Sequence, residues 1–178
     1  GKYVGGPNST GYIYGRKELI EAISLHSFIG AEAGPKEQSG FYRSLGRGYK
    51  LDRQEVIGLL VAFDEWMEMD HHKERFQPAW VKTRKIEKGI KDLPGLKDAR
   101  IQYYPKSGEG TGYHTIGLQV SLDLSVDETN KVIRSLREGD PEVWVRNWGQ
   151  SSDFIINAIN LQSGDEDIIV HRFKEVFG

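Results

Sequence analysis

Thr115-Ile116-Gly117-Leu118-Gln119-Val120-Ser121-Leu122, continuing into Asp123-Leu124-Ser125-Val126-Asp127-Glu128, carries the clearest structural signal in the chain. Ile116, Leu118, Val120 and Leu122 recur at every second position, the period of a strand with one face buried. Ser125 with Glu128 three residues on has the spacing of a capping box. It starts a helix through Val132, Ile133 and Leu136, which Gly139 closes. Upstream, Ala99, Ile101 and Tyr103 alternate in the same way, and Ser107-Gly108-Glu109-Gly110-Thr111-Gly112 forms a flexible connection between the two runs. Downstream, 142–146 and 154–161 read as two further strands, and Ser163 with Glu166 caps a last helix that ends near Phe177. The order β-β-α-β-β-α predicts a small α+β domain over 96–178, with helices on one face of a sheet.

Working back from that domain, Asp52 is a good N-cap with Glu55 closing a second capping box. The helix it starts carries Val56, Leu59, Leu60, Phe63 and Met67 on one stripe. Asp70-His71-His72-Lys73 breaks the pattern, and Pro78 is expected to stop or kink the helix. A further helix over 79–93 turns Trp80, Ile86, Ile90 and Leu93 inward, and Pro94-Gly95 ends it. Residues 28–51 are glycine-rich and irregular, a loop long enough to suggest function. Residues 16–26 read as a helix. Thr10-Gly11-Tyr12-Ile13-Tyr14-Gly15 reads as a short strand, and 1–9 as a turn. The expected organisation is therefore α/β and α+β: 1–51 as the end of a larger domain, 52–95 as bridging helices, and 96–178 as the small domain. Because the chain opens on a glycine-rich turn, it reads as the C-terminal portion of a longer protein.

Composition bounds the function. The net charge of −2 leaves no footprint for nucleic acid or an anionic membrane as the main partner. The absence of cysteine removes disulfides and thiolate metal sites and is compatible with a cytoplasmic protein. No apolar run approaches the length of a membrane span. No two histidines have helical metal spacing with an acid nearby, so no metal is assigned. Trp144 and Trp148 with Arg146 have the composition of a stacking platform, but at strand spacing they read as packing.

Two segments hold candidate chemistry. Lys2 precedes Gly5-Gly6-Pro7-Asn8-Ser9-Thr10-Gly11. A Schiff-base lysine needs to reach a carbonyl, and a glycine-rich turn with free N–H groups and the hydroxyls of Ser9 and Thr10 can hold a phosphate. Spacing alone leaves open a surface lysine beside an ordinary turn. The segment is not a Walker loop, since no Gly-Lys-Ser/Thr ends it. Arg43 and Arg47 lie in Phe41-Tyr42-Arg43-Ser44-Leu45-Gly46-Arg47-Gly48, where planar guanidinium forks suit a carboxylate or phosphate. Loop arginines also serve to bond helix ends, and the residues alone do not choose.

Residues 1–20, Gly1-Lys2-Tyr3-Val4-Gly5-Gly6-Pro7 through Gly15-Arg16-Lys17-Glu18-Leu19-Ile20, resemble the pyridoxal-phosphate (PLP) enzymes around selenocysteine synthase and D-glucosaminate-6-phosphate ammonia lyase, filed with class-V aminotransferases of fold type I. A second block, Gly46-Arg47-Gly48-Tyr49-Lys50 leading into Asp52-Arg53-Gln54-Glu55-Val56, is similar to that family's segment before the long helix between domains. The match covers about residues 1–95; beyond that it is one of element order. The resemblance implies that Lys2 forms the internal aldimine with PLP. Gly6, Pro7, Ser9 and Thr10 would lie at the cofactor phosphate, often a neighbouring subunit's, and Arg47 and Arg43 would face the substrate's anionic group. It implies a lyase or aminotransferase acting on an amino acid or amino sugar acid, in a homodimer or higher oligomer. The alternatives are a selenium transferase acting on seryl-tRNA, the one reading with a nucleic-acid partner, and a non-catalytic binding or dimerisation module. The family's acid for the pyridine nitrogen and its ring-stacking residue belong to the large domain. Half of the cofactor site is therefore expected here, and the chain alone is expected neither to hold PLP tightly nor to turn over.

Overall fold

The structure, a computed structural model, describes residues 1–27, 45–104, 115–147 and 150–178. The expected connection at 107–112, most of the 28–51 loop, Arg43 and Trp148 lie outside the described residues. The chain divides into two compact units, Gly1–Met69 and Asp70–Gly178. The division falls within the stretch expected to bridge two domains.

The second unit is built on a three-stranded antiparallel sheet in the order β1 (Leu96–Tyr104), β2 (Thr115–Leu122) and β3 (Asp153–Asn157). Its register sets Ile101 and Ile156 on either side of Leu118, and Ala99 and Phe154 on either side of Val120. The alternation in β2 is thus one face of the sheet. Ile116, Leu118, Val120 and Leu122 are all buried, as are Phe154 and Ile156 of β3. Ile86 and Ile90 of one helix (Gln77–Ile90), Leu136 of the next (Val126–Arg137), and Ile169 and Phe173 of the last (Asp165–Phe177) pack into the same core. The unit is mixed α and β, as the periodicity implies.

Five local features of this unit differ from the sequence reading, each for a visible reason. Over 142–145 the chain carries no ladder, and Arg146 makes a single bridge to Ile155. The Val143 N–H donates to the Leu136 carbonyl at the end of the preceding helix, at 2.9 Å, and Pro141 has no N–H to offer. The strand expected over 154–161 ends at Asn157, whose side-chain carbonyl accepts from the Ile159 N–H at 3.1 Å and turns the chain. The last helix is capped by Gly164, at φ 100°, instead of Ser163. Pro78 starts a helix instead of stopping one. A π-helical turn, His71–Phe76, runs directly into Gln77–Ile90, and proline sits in the first α-helical turn, where its fixed φ suits the helix. That helix buries Ala79, Thr83, Ile86 and Ile90; Trp80, one residue off this stripe, is 39% exposed instead of facing inward.

In the first unit a 3-10 turn, Lys2–Val4, is followed by further turns and then chain without regular structure, then by α1 (Lys17–Leu25), a 3-10 turn Leu45–Tyr49, and α2 (Arg53–Glu68). With these named, the helices Gln77–Ile90, Val126–Arg137 and Asp165–Phe177 are α3, α4 and α5. The strand expected over 10–15 has no pairing partner among the described residues. Tyr12 packs edge-on against Phe63 of α2 instead, with ring centres 5.0 Å apart. Both expected capping boxes form, at Asp52/Glu55 on α2 and at Ser125/Glu128 on α4.

Candidate functional site

The site is a turn laid along one face of a helix. Val4 N–H donates to the Gly1 carbonyl, and Gly5 N–H donates to the Lys2 carbonyl; Gly5 sits at φ 87°, which favours glycine. Gly6 N–H returns to the Gly1 carbonyl at 3.1 Å. Pro7 then accepts twice on its carbonyl, from the Thr10 N–H at 3.2 Å and from the Thr10 hydroxyl at 2.7 Å. The Lys2 side chain stands exposed at the start of this turn.

Helix α2 supports the turn at helical intervals. The Ser9 hydroxyl donates to Glu55 Oε1. Leu59 lies under Gly6, where an added Cβ would come within 3.2 Å of Leu59 Cδ1, and Gly58 lies under the Pro7 ring, at 3.1 Å on the same measure. Phe63 meets Tyr12, and Trp66 meets Tyr3 with ring centres 5.7 Å apart. Positions 55, 58, 59, 63 and 66 follow the i, i+3, i+4 rule of one helix face. The apolar stripe read from the sequence is therefore split: Phe63 and Leu59 support the turn, while Leu60 and Met67 are 60% and 68% exposed.

The structure places every predicted site residue except Arg43. Lys2, Gly6, Pro7, Ser9 and Thr10 share this one turn. The Lys2 amine and the backbone N–H groups of Asn8 and Ser9 have no protein partner among the described residues. Thr10 is 7% exposed, with its hydroxyl engaged by Pro7. Arg47 lies in the 3-10 turn Leu45–Tyr49, which is tied to the end of α1 by Gly46 N–H donating to the His26 carbonyl at 2.8 Å. Arg43 lies outside the described residues. The supporting residues Glu55, Gly58 and Trp66 were not singled out from the sequence as part of a site. Their signal is that i, i+3, i+4 spacing, visible once the turn is known to lie on α2.

The donor set suits two ends of the cofactor implied by the resemblance. An amine and two N–H groups that are unpaired among the described residues, with a hydroxyl beside them, have the donor chemistry for an aldehyde at one end and a phosphate at the other. Among the described residues no cluster of three or more His, Asp or Glu could hold a metal ion, and no helix is long and apolar enough to cross a membrane.

The second unit has its own concavity, about 440 Å³, lined by His72, Phe76, Gln77, Trp80 and Tyr103. Phe76 is stacked between His72 and Tyr103, with ring centres 5.8 and 5.9 Å apart.

No family model and no curated protein matches this chain. Among solved structures it is similar to a D-glucosaminate-6-phosphate ammonia-lyase, with a TM-score of 0.51 at 16% sequence identity. The match covers 75% of this chain and 34% of that one, so the chain spans about a third of the length of this structural relative. At that identity the likeness is one of fold.

Proposed function

We propose that this chain is the C-terminal portion of a PLP-dependent lyase or aminotransferase-like enzyme acting on an amino acid or amino sugar acid, with Lys2 as the cofactor lysine. The observation that carries the reading is the exposed Lys2 amine at the head of a turn in which that amine and the Asn8 and Ser9 N–H groups have no protein partner among the described residues. The shared fold with part of a D-glucosaminate-6-phosphate ammonia-lyase supports it, as does the family resemblance of the Lys2 and Arg47 blocks.

In this reading PLP, when bound, supplies the electron sink that stabilises negative charge at the substrate Cα. Lys2 would supply the amine that anchors the cofactor and the base that carries the proton at Cα. The Asn8 and Ser9 N–H groups and the Ser9 hydroxyl would donate to the phosphate. The Gly6-Pro7 bend and Thr10 fix the shape of the turn. Arg47 and Arg43 bind the substrate's anionic group. The proposal includes a homodimer or higher assembly; the exposed Ile57, Leu60, Val61 and Met67 of α2 support it, as an apolar face of the kind that marks an interface.

Lysine footprinting tests the assignment. With limiting acetylating reagent, excess PLP should protect Lys2 from labelling at least several-fold more than the exposed Lys17 and Lys50. Equal protection at all three would remove Lys2 from its role.

A further inference from the structure

The Ser9 hydroxyl has one proton, and in this structure it is given to Glu55. A phosphate in the turn needs donors, and the other hydroxyl nearby, that of Thr10, is committed to the Pro7 carbonyl. Glu55 also closes the capping box of α2: its Oε2 accepts from the Asp52 N–H at 3.3 Å, and its own N–H donates to Asp52 Oδ1 at 2.9 Å. One carboxylate therefore spans 46 positions of sequence, holding the helix start with one oxygen and the turn hydroxyl with the other.

From this geometry we infer that Glu55 is a positioning residue that acts as a built-in competitor for the anion site: phosphate and the Glu55 carboxylate compete for the Ser9 proton. The inference rests on reading this turn as the phosphate-holding one. When phosphate enters, the Ser9 hydroxyl rotates its proton from Glu55 Oε1 to a phosphate oxygen. No covalent bond changes, and the two anions then face each other across one oxygen. Glu55 keeps the hydroxyl satisfied and the turn seated on α2 while the site is empty, at the cost of weaker phosphate binding. The site is thereby tuned toward ligands that bring a second attachment, as PLP does through its aldehyde and Lys2, and against free phosphate.

The test is a ³¹P NMR titration of inorganic phosphate against the wild-type chain and the Glu55→Gln, Ser9→Ala and Ser9→Ala/Glu55→Gln variants. Glutamine is accepted in a capping box, so helix content by circular dichroism should be unchanged. Glu55→Gln should bind phosphate about three- to tenfold more tightly. Ser9→Ala should weaken binding, and Glu55→Gln should gain less affinity in the Ser9→Ala background than in the wild type, because the competition for the proton runs through that hydroxyl while the charge repulsion acts in both. If Glu55→Gln binds phosphate no better than wild type while Ser9→Ala still weakens binding, the competitor role fails and the phosphate turn stands. If Glu55→Gln gains affinity equally with and without the Ser9 hydroxyl, Glu55 acts by charge alone and the inference is overturned. If no variant binds phosphate, both the inference and the reading of the turn fail.

Discussion

Thr10 and Ser9 are neighbours with hydroxyls of opposite use. Thr10 is nearly buried and bonds within the turn, whereas Ser9 is exposed and bonds to a residue of another element. Thr10→Val keeps the shape and deletes one bond. It should lower stability by about 0.5–1.5 kcal/mol, read as a lower urea midpoint, and an unchanged midpoint would mean that the Pro7 bond contributes nothing. At this scale the turn after Lys2 was legible, because a glycine-rich run is a local pattern. The second use of Glu55 was not. Its capping role follows from three-residue spacing, but its bond to Ser9 depends on where the turn lies against α2, which no local pattern states.

Among the elements, capping boxes were read correctly where side chains alone set the cap. Ser125 and Glu128 exchange hydrogen bonds at the start of α4. The Ser125 hydroxyl, and then its N–H, hold the Glu128 carboxyl below the usual glutamate range. A depressed folded value means that the stabilisation is present above the ordinary value of 4.5 and is lost as pH falls through the folded value. The gap in thermal stability between wild type and Glu128→Ala should therefore narrow with acidification below pH 4.5 and be constant above it. A gap that widens in acid would contradict this. Ser125→Ala should cost about 0.5–2 kcal/mol, measured by denaturant titration. The cap at Gly164 escaped the sequence because it is made by backbone conformation at positive φ. The strand at 142–146 was misread because alternation reports faces and not pairing partners, and there the Val143 N–H is turned to a helix end.

Across the whole molecule the two units are unequally buried. The Asp70–Gly178 unit has a continuous apolar core with Phe154 and Phe173 fully enclosed, their ring centres 6.0 Å apart. Within Gly1–Met69 the buried residues among those described are Val4, Thr10 and Ala62. Amide hydrogen exchange should therefore be slowest in β2 and α5 and fast through residues 1–27, because protection follows buried apolar contact. Phe173→Ala should cost about 3–5 kcal/mol and release exchange throughout the second unit. The sheet, with most of its helices, was legible because its core follows two strict periods. The candidate site was half legible: Lys2 and the turn after it are contiguous in sequence, while the residues that support the turn lie on α2.

The account stands on Lys2 being the lysine that PLP selects. Borohydride reduction of the chain with excess PLP, followed by peptide mapping, measures this directly. The prediction is a phosphopyridoxyl mass carried predominantly by the peptide containing Lys2, with labelling of that peptide abolished and no compensating gain elsewhere in Lys2→Ala. Label spread evenly over the exposed lysines, or an unlabelled Lys2 peptide, would contradict it.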